Sequence, residues 1–349
     1  MPKRTTIRDV ALKAGVSFQT VSLALNHPEK VADATLAKVQ AAIRALDFVP
    51  SLAARSMRQI RTKTLACIFF GERASYDNRS YQIQDTYWNN VLQMLSMVAD
   101  RSGYALLQRH IGGDPEQATS EIAGMYSAGR IDGMIAVVEK PAHPVLVELR
   151  KKDLPFVVFG TRDPKMPHVV QANEDACAAV VRHLHEQGRE RIAFISGERD
   201  GHVNEDINER TRGFRRAMKE CGLSVTRRWQ LAGDWSMASG YRIAQLLCGQ
   251  DDRPDSLIFA SDRMALGALK GLHDIGVRVP LDVCVVGFDN MQMDEFSVPP
   301  LSSVHSPVLE MASWAISTLL HRIETGAWED GAQREFPAEL VVRDSSRIR

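Results

Sequence analysis

In the first 46 residues apolar positions recur at the three-and-four spacing of helices with one buried side. Ile7, Val10, Ala11 and Ala14 form an i, i+3, i+4, i+7 stripe with Arg8, Asp9 and Lys13 between them, which predicts a helix that Gly15 ends. Ser17 carries the hydroxyl an N-cap needs, so a second helix is expected at once. Val21, Ala24 and Leu25 fall on one of its sides, and Phe18, Gln19, Ser22, Leu23 and Asn26 on the other. Asn26-His27-Pro28-Glu29 breaks the chain. A third helix then starts near Asp33, whose carboxylate complements the dipole at that end, and Leu36, Val39, Ile43 and Leu46 recur along it. The first two helices have the spacing of a helix-turn-helix, and Phe48-Val49-Pro50 closes the unit. In Pro50 to Arg58, Ser51 can cap a further helix, but two turns are too short to be stable alone in water.

From Thr64 the pattern changes to apolar runs of four to seven residues alternating with amphipathic helices. Thr64–Phe70, Tyr104–Leu107, Ile131–Val138 and Pro155–Phe159 read as buried strands, separated by helices near 87–102, 114–128 and 142–152. The pattern repeats with strands at Arg191–Ser196, Trp229–Leu231, Ser256–Ala260 and Val283–Phe288, and helices near 173–187, 208–221, 236–249 and 262–275. Continuous apolar strands joined by helices predict parallel sheets, one in each half. The expected fold class is an all-α helix-turn-helix headpiece plus an α/β core of two doubly wound parallel-sheet lobes.

A chain of 349 residues is long for one core. Its formal charge of zero is unevenly spread: residues 1–64 hold eleven Lys or Arg against four Asp or Glu, a net of +7, and the rest hold 32 against 39, a net of −7. That asymmetry fits a small module that meets phosphates, attached to a larger one that does not. Cys67, Cys177, Cys221, Cys248 and Cys284 make no C-x-x-C pair or metal-ligand spacing, so no metal or cofactor is expected and a reducing compartment is. With no apolar stretch long enough for a signal peptide or a membrane span, the expected location is the cytoplasm.

A second helix with an outward side suits a major-groove reader, whose amino-terminal residues reach base edges. Gln19 can pair bidentately with adenine, and Phe18 or Leu23 can touch a thymine methyl. In the competing reading Phe18 and Leu23 close the core, although they fall off its stripe. The run Asp9-Val10-Ala11, Ala14-Gly15-Val16-Ser17 and Thr20-Val21-Ser22 is specific. Through it residues 5–60 resemble the DNA-binding headpiece of the lactose-repressor (LacI/GalR) family of bacterial transcription regulators. The resemblance implies a double-stranded, pseudo-palindromic DNA operator contacted by Thr6, Ser17, Phe18, Gln19, Thr20, Ser22, Leu23 and Asn26. It also implies a hinge helix that forms on DNA, with contacts from Ser51, Ala54 and Arg55 and an apolar wedge at Met57, where the family more often has leucine.

The core resembles the type I periplasmic-binding-protein-like fold that the same family uses for its effector. The matching stretches are Gly233 to Ser236, Ala260 to Ala268, Val285 to Asp289 and Pro299-Pro300-Leu301, so the resemblance covers essentially the whole chain. In that fold the chain crosses between lobes three times. The expected division is 1–49 headpiece, 50–62 hinge and linker, 63–171 with 305–333 first lobe, and 172–304 with 334–349 second lobe.

Ligands of doubly wound sheets sit beyond the carboxyl ends of the strands, where Asp262 and Asp289 stand. Arg210-Thr211-Arg212-Gly213-Phe214 matches the family's ligand-binding arginine. Trp235 matches an aromatic plane, Tyr87 and Trp88 an aromatic pair of the first lobe, and Ser261 a further ligand position. An aspartate and an arginine facing one another can bind adjacent hydroxyls of a sugar as acceptor and donor, with a ring stacked on its apolar face. The pocket departs from the family's namesake, which has asparagine at Ser261, aspartate at Gly160, and glutamine and phenylalanine at Ser306 and Val308; the segment Glu72 to Gln84 also looks longer than usual. Galactosides are therefore not assumed.

The expectation is a DNA-binding transcription regulator, a repressor by resemblance, controlled by a small molecule of sugar type between two lobes. An inducer and a corepressor are both compatible with the sequence. The rival class is a sugar-processing enzyme fused to the headpiece, against which stands the absence of G-x-G-x-x-G after a strand, of the phosphate-binding loop, of G-x-S-x-G and of H-E-x-x-H. The chain ends soon after its last strand without a leucine-heptad helix, so a homodimer rather than a tetramer is expected.

Overall fold

The structure, a computed structural model, describes residues 5–46, 48, 61–70, 86–138, 140–198, 203–329 and 331–348. The chain divides into two units near Thr62.

The amino-terminal unit contains α1 (Ile7–Ala14), α2 (Phe18–Asn26) and α3 (Asp33–Ala45). Thr6 caps α1 in a capping box: its hydroxyl receives the Asp9 amide, and the Asp9 carboxylate accepts from the Thr6 amide at 2.8 Å and hydroxyl at 2.7 Å. Gly15 ends α1 at φ 67°, a left-handed conformation that disfavours a side chain. Ser17 caps α2 as expected, accepting from the Thr20 amide at 3.1 Å. Val10, Ala11, Val21, Ala24, Val39, Ala42 and Phe48 are buried together, with Ile7, Ala14, Leu36, Ile43 and Leu46 half-buried around them.

In the second unit the described strands form two six-stranded sheets, each flanked by helices on both faces. The first contains β1 (Thr64–Phe70), β2 (Ala105–Ile111), β3 (Gly133–Val137), β4 (Phe156–Phe159), β5 (His168–Gln171) and β11 (Gln333–Phe336), in the order β11-β5-β4-β3-β1-β2. Helices α4 (Thr86–Arg101) and α11 (Val308–Thr325) cover one face, and α5 (Pro115–Ser127) and α6 (Pro144–Lys151) the other. The second sheet runs β12-β10-β9-β8-β6-β7, from β6 (Ile192–Gly197), β7 (Gln230–Gly233), β8 (Ser256–Phe259), β9 (Cys284–Asp289), β10 (Ser302–His305) and β12 (Glu339–Val341). It lies between α7 (Asn173–Glu186) and α8 (Glu205–Glu220) on one side and α9 (Met237–Cys248) and α10 (Asp262–Asp274) on the other. The pairings are parallel except that of β10 with β12.

Two lobe boundaries differ from expectation. Arg334, Glu335 and Phe336 pair with Val169, Val170 and Gln171, so β11 lies in the first sheet along its whole length. His305 pairs with Asp289 and completes β10 in the second sheet. The chain thus crosses after β5, after β10 and after β11. The first and third crossings run side by side, with the Ala172 amide donating to the Phe336 carbonyl at 2.8 Å.

Candidate nucleic-acid interface and ligand cleft

On α2, Phe18 is 50% and Leu23 38% exposed, and neither joins the headpiece core. Gln19 and Ser17 are exposed, whereas Ser22 and Thr20 are half-buried. The Thr20 hydroxyl lies 2.9 Å from that of Ser17. Two of the expected DNA contacts thus also serve the fold, Thr6 and Ser17 as the caps of α1 and α2. Asn26 ends α2. The hinge positions Ser51, Ala54, Arg55 and Met57, and the long segment Glu72 to Gln84, lie outside the described residues.

In the second lobe the carboxyl ends of four strands meet. Arg210 is 4% exposed on α8. Its Nε donates to Asn173 Oδ1 at 2.8 Å and a terminal nitrogen donates to the Ala260 carbonyl at 2.7 Å, beyond β8. Its guanidinium stacks over the Phe288 ring at 4.2 Å, one residue before Asp289 on β9. Glycine is required one turn after this arginine: a Cβ on Gly213 would sit 2.0 Å from the Glu174 carbonyl oxygen, so only a bare backbone lets α8 lie this close to α7 and present Arg210 to Asn173. Trp235 follows β7 at φ 65° and lays its indole over Gly197 at the end of β6, where a Cβ would meet the ring at 2.2 Å. Ser261 is buried as the N-cap of α10, accepting from the Met264 amide at 3.4 Å.

A cavity of about 480 Å³ opens at the end of β9. One wall is Tyr87 and Asn90 on α4 of the first lobe; the other is Asp289, Asn290, Met291, Gln292, Met293 and Phe296 of the second. Asp289 and Asn290 have φ of 117° and 53°, conformations that cost a non-glycine residue energy and cluster at functional sites. Of the six expected ligand residues the cavity brings together Tyr87 and Asp289. Trp88 instead packs edge-on against Tyr87 at 5.1 Å and Phe69 at 5.5 Å. Arg210, Trp235 and Ser261 are outside the cavity lining. The run Asn290 to Met293, together with Phe296 and Asn90, was missed, although its place after an apolar strand was a usable signal.

Asp262, the other aspartate at a strand end, is turned inward. It is fully buried and its carboxylate accepts from the Ser303 hydroxyl at 2.6 Å and the Met291 amide at 3.1 Å; a Cβ on Gly287 would collide with it. It therefore ties down the loop that walls the cavity. Burial, with Asp289 and the equally buried Asp294 nearby, pushes the Asp262 carboxyl well above the usual range, and burial also raises Asp294. A pair of bare charges there would be costly, so both carboxyls hold their protons to higher pH than an exposed carboxylate does.

A three-helix headpiece with an apolar and amide-bearing outward face, joined to a two-lobed core with a mixed polar and apolar cavity between its lobes, is the arrangement of a DNA-binding regulator with a ligand-binding domain. The family model described as bacterial regulatory proteins, lacI family, matches residues 6–51, and a periplasmic binding protein-like domain matches residues 181–346. The HTH-type transcriptional repressor PurR of Vibrio cholerae serotype O1 (strain M66-2) is 31% identical over 343 residues, 97% of each chain, and that of Vibrio vulnificus (strain CMCP6) is 30% identical over 97% of this chain and 98% of its own. Among solved structures, a Lac repressor dimer bound to operator and the anti-inducer ONPF matches over 99% of both chains with a TM-score of 0.82 at 22% identity, a likeness of fold. A complex of the transcriptional regulator CelR with cellobiose matches over 98% of this chain and 100% of that one, with a TM-score of 0.68 at 27% identity.

The chain belongs to the lacI family of bacterial regulatory proteins and is a DNA-binding transcriptional repressor. Its relatives are repressors rather than enzymes, which sets aside the sugar-processing alternative. Among the described residues no helix is long and apolar enough to cross a membrane.

Proposed function

We propose that this repressor acts in the cytoplasm as a homodimer on a pseudo-palindromic double-stranded operator, and that a small polar ring molecule, a sugar or sugar derivative, sets its affinity from the cleft between the lobes. The division of labour is a headpiece of residues 1–49, a hinge of 50–62, a first lobe of 63–171 with 306–336, and a second of 172–305 with 337–349. On the DNA side the outward face of α2 reads bases through Phe18, Gln19 and Leu23, with Thr6, Ser17, Thr20, Ser22 and Asn26 around it. The hinge adds Ser51, Ala54, Arg55 and the Met57 wedge. Two similar proteins support the operator-bound dimer and the sugar class: the Lac repressor, seen as a dimer on operator, and CelR, seen with cellobiose.

The observation that carries the effector reading is the cavity with one wall from each lobe, Tyr87 and Asn90 against Asp289 to Phe296. A molecule filling it contacts both walls in one lobe arrangement and loses one in the other, which is the differential affinity that a population shift requires. Asp289 supplies the acceptor and Tyr87, backed by Trp88, the apolar plane, while Arg210, Trp235 and Ser261 lie outside the lining and act on the site through the packing of the strand ends. The test is a thermal-shift screen of sugars and nucleobases, paired with selection of bound duplexes from a random pool. A sugar that raises the melting temperature of the protein and changes its affinity for the selected duplex supports the reading. A nucleobase hit with no sugar hit overturns the effector class, and selection without a two-fold repeated half-site overturns the dimeric mode.

A further inference from the structure

Arg162, in the loop between β4 and β5 of the first lobe, reaches the second. Its Nε donates to Glu209 Oε1 at 3.2 Å, while a terminal nitrogen donates at 2.6 Å to Glu335 Oε1 on β11 of its own lobe. Glu209, 5% exposed, precedes Arg210 on α8. Its second carboxylate oxygen accepts from Asn173 Nδ2 at 3.4 Å, a group that also donates to Asp206 at 3.0 Å. These two acceptors, together with the Gln171 amide that donates to Asn173 Oδ1 at 2.9 Å, set which way the fully buried Asn173 amide faces. With its nitrogen turned to the carboxylates, its oxygen is aimed at Arg210 Nε, 2.8 Å away.

The two ends of this chain respond differently to lobe separation. If the lobes part, Arg162 keeps Glu335, but the buried Glu209 loses its cross-cleft donor and keeps Asn173 and the more distant Arg212 at 3.8 Å. A buried carboxylate that loses its paired donor is left undercompensated and turns toward water, so Asn173 loses one of the acceptors that anchor its amide and Arg210 is held less firmly. We propose that Arg162 of the first lobe is a positioning residue for Arg210 of the second, acting across the cleft through Glu209 and Asn173, so that the lobe arrangement sets how firmly that arginine is held. The inference rests on the cleft reading above for its functional meaning, and its test needs neither effector nor DNA.

The readout is the rate at which phenylglyoxal modifies Arg210 in the intact full-length protein, followed by mass spectrometry of the peptide that carries it. Arg162→Gln and Glu209→Gln are each expected to raise that rate about tenfold, the worth of roughly one net hydrogen bond. The double variant should do no more than either single one, because both break the same contact. Glu335→Gln is the control: it removes the partner of Arg162 within its own lobe and should leave Arg210 protected. Salt at 1 M should raise the rate in the wild type but not in Arg162→Gln. Circular dichroism checks that each variant is folded, and Glu209→Gln, nearly isosteric, serves if Arg162→Gln is not. Arg210 equally protected in both folded variants overturns the inference, as does equal exposure in Glu335→Gln, which would signal general loosening. A failed effector screen would leave this result standing, and failure here would leave the cleft reading in place.

Discussion

Leu23 has no hydrogen-bond donor, so on the exposed side of α2 it can favour a thymine methyl or exclude water but cannot select guanine. Leu23→Arg should therefore move the preferred base at one symmetric pair of operator positions toward guanine, by about 1 to 3 kcal/mol for a bidentate contact. Salt dependence should steepen only slightly, since the phosphate contacts come from other residues. Identical selected sites for the two proteins would place Leu23 against a phosphate or another protein surface. In the cleft, Asp289→Ala is expected to weaken effector binding by about 2 to 4 kcal/mol while operator binding without effector survives; unchanged calorimetric affinity in the folded variant would move the site elsewhere. Residue chemistry was legible in the sequence as far as these two aspartate positions, but their division was not. Asp262 and Asp289 both follow apolar strands, and what turns Asp262 inward is space beside Gly287 together with donors from Ser303 and Met291, groups up to 41 residues away in the chain.

At the scale of elements, helices and long apolar strands were readable because their periodicity reports burial directly. Strands made largely of polar residues were not. β10 is Ser302-Ser303-Val304-His305, and its first two residues are buried although they are serines. Their hydroxyls are satisfied by distant groups, that of Ser302 donating to the Arg343 carbonyl at 3.0 Å and that of Ser303 to Asp262. A polar pair buried in this way is indistinguishable from a loop until its partners are known. β11, Gln-Arg-Glu-Phe, is a mostly exposed edge strand with no apolar run to betray it. The α7–α8 contact was visible only as the R-x-x-G-F motif, without its cause. Gly213→Ala should lower stability by about 1 to 3 kcal/mol through overpacking and loosen effector binding with it, because the helix that shifts carries Arg210. Melting and effector affinity both at wild-type values would show that α7 and α8 can part without cost. On α2, Ser17→Ala should cost the headpiece about 1 kcal/mol by orphaning the Thr20 amide.

For the molecule as a whole, the buried polar web around Arg210 makes stability depend on pH. Asp206 is pushed up to about 6 from an ordinary 3.8, chiefly by desolvation, with Glu209 adding to the rise and Arg210 and Asn173 opposing it. The folded protein therefore binds more protons than the unfolded chain between these values. The contribution of this group is most favourable below pH 4, declines as pH rises toward 6, and levels off above. Asp206→Asn should remove that decline and gain about 1 to 3 kcal/mol relative to wild type at pH 7.5 over pH 4. Denaturant midpoints of the two proteins that run parallel across this range would show that the carboxyl stays hydrated.

The crossings between sheets also bear on how the chain is made. Val308, Met311, Ala312, Ala315, Ile316 and Leu319 of α11 complete the core beneath β1, β3 and β4, although residues 172–305 of the second lobe are synthesised in between. β11 borders the first sheet and β12 the second, and Ser345 closes the latter by giving its hydroxyl to the Val285 carbonyl at 2.6 Å. A ribosome that has passed residue 300 has therefore finished neither lobe, and the apolar face that awaits α11 stays open until residues 308–325 have been made. The headpiece core, drawn wholly from the first 48 residues, is complete long before. A nascent repressor can thus carry a folded DNA reader while its control domain is still an unfinished surface for chaperones.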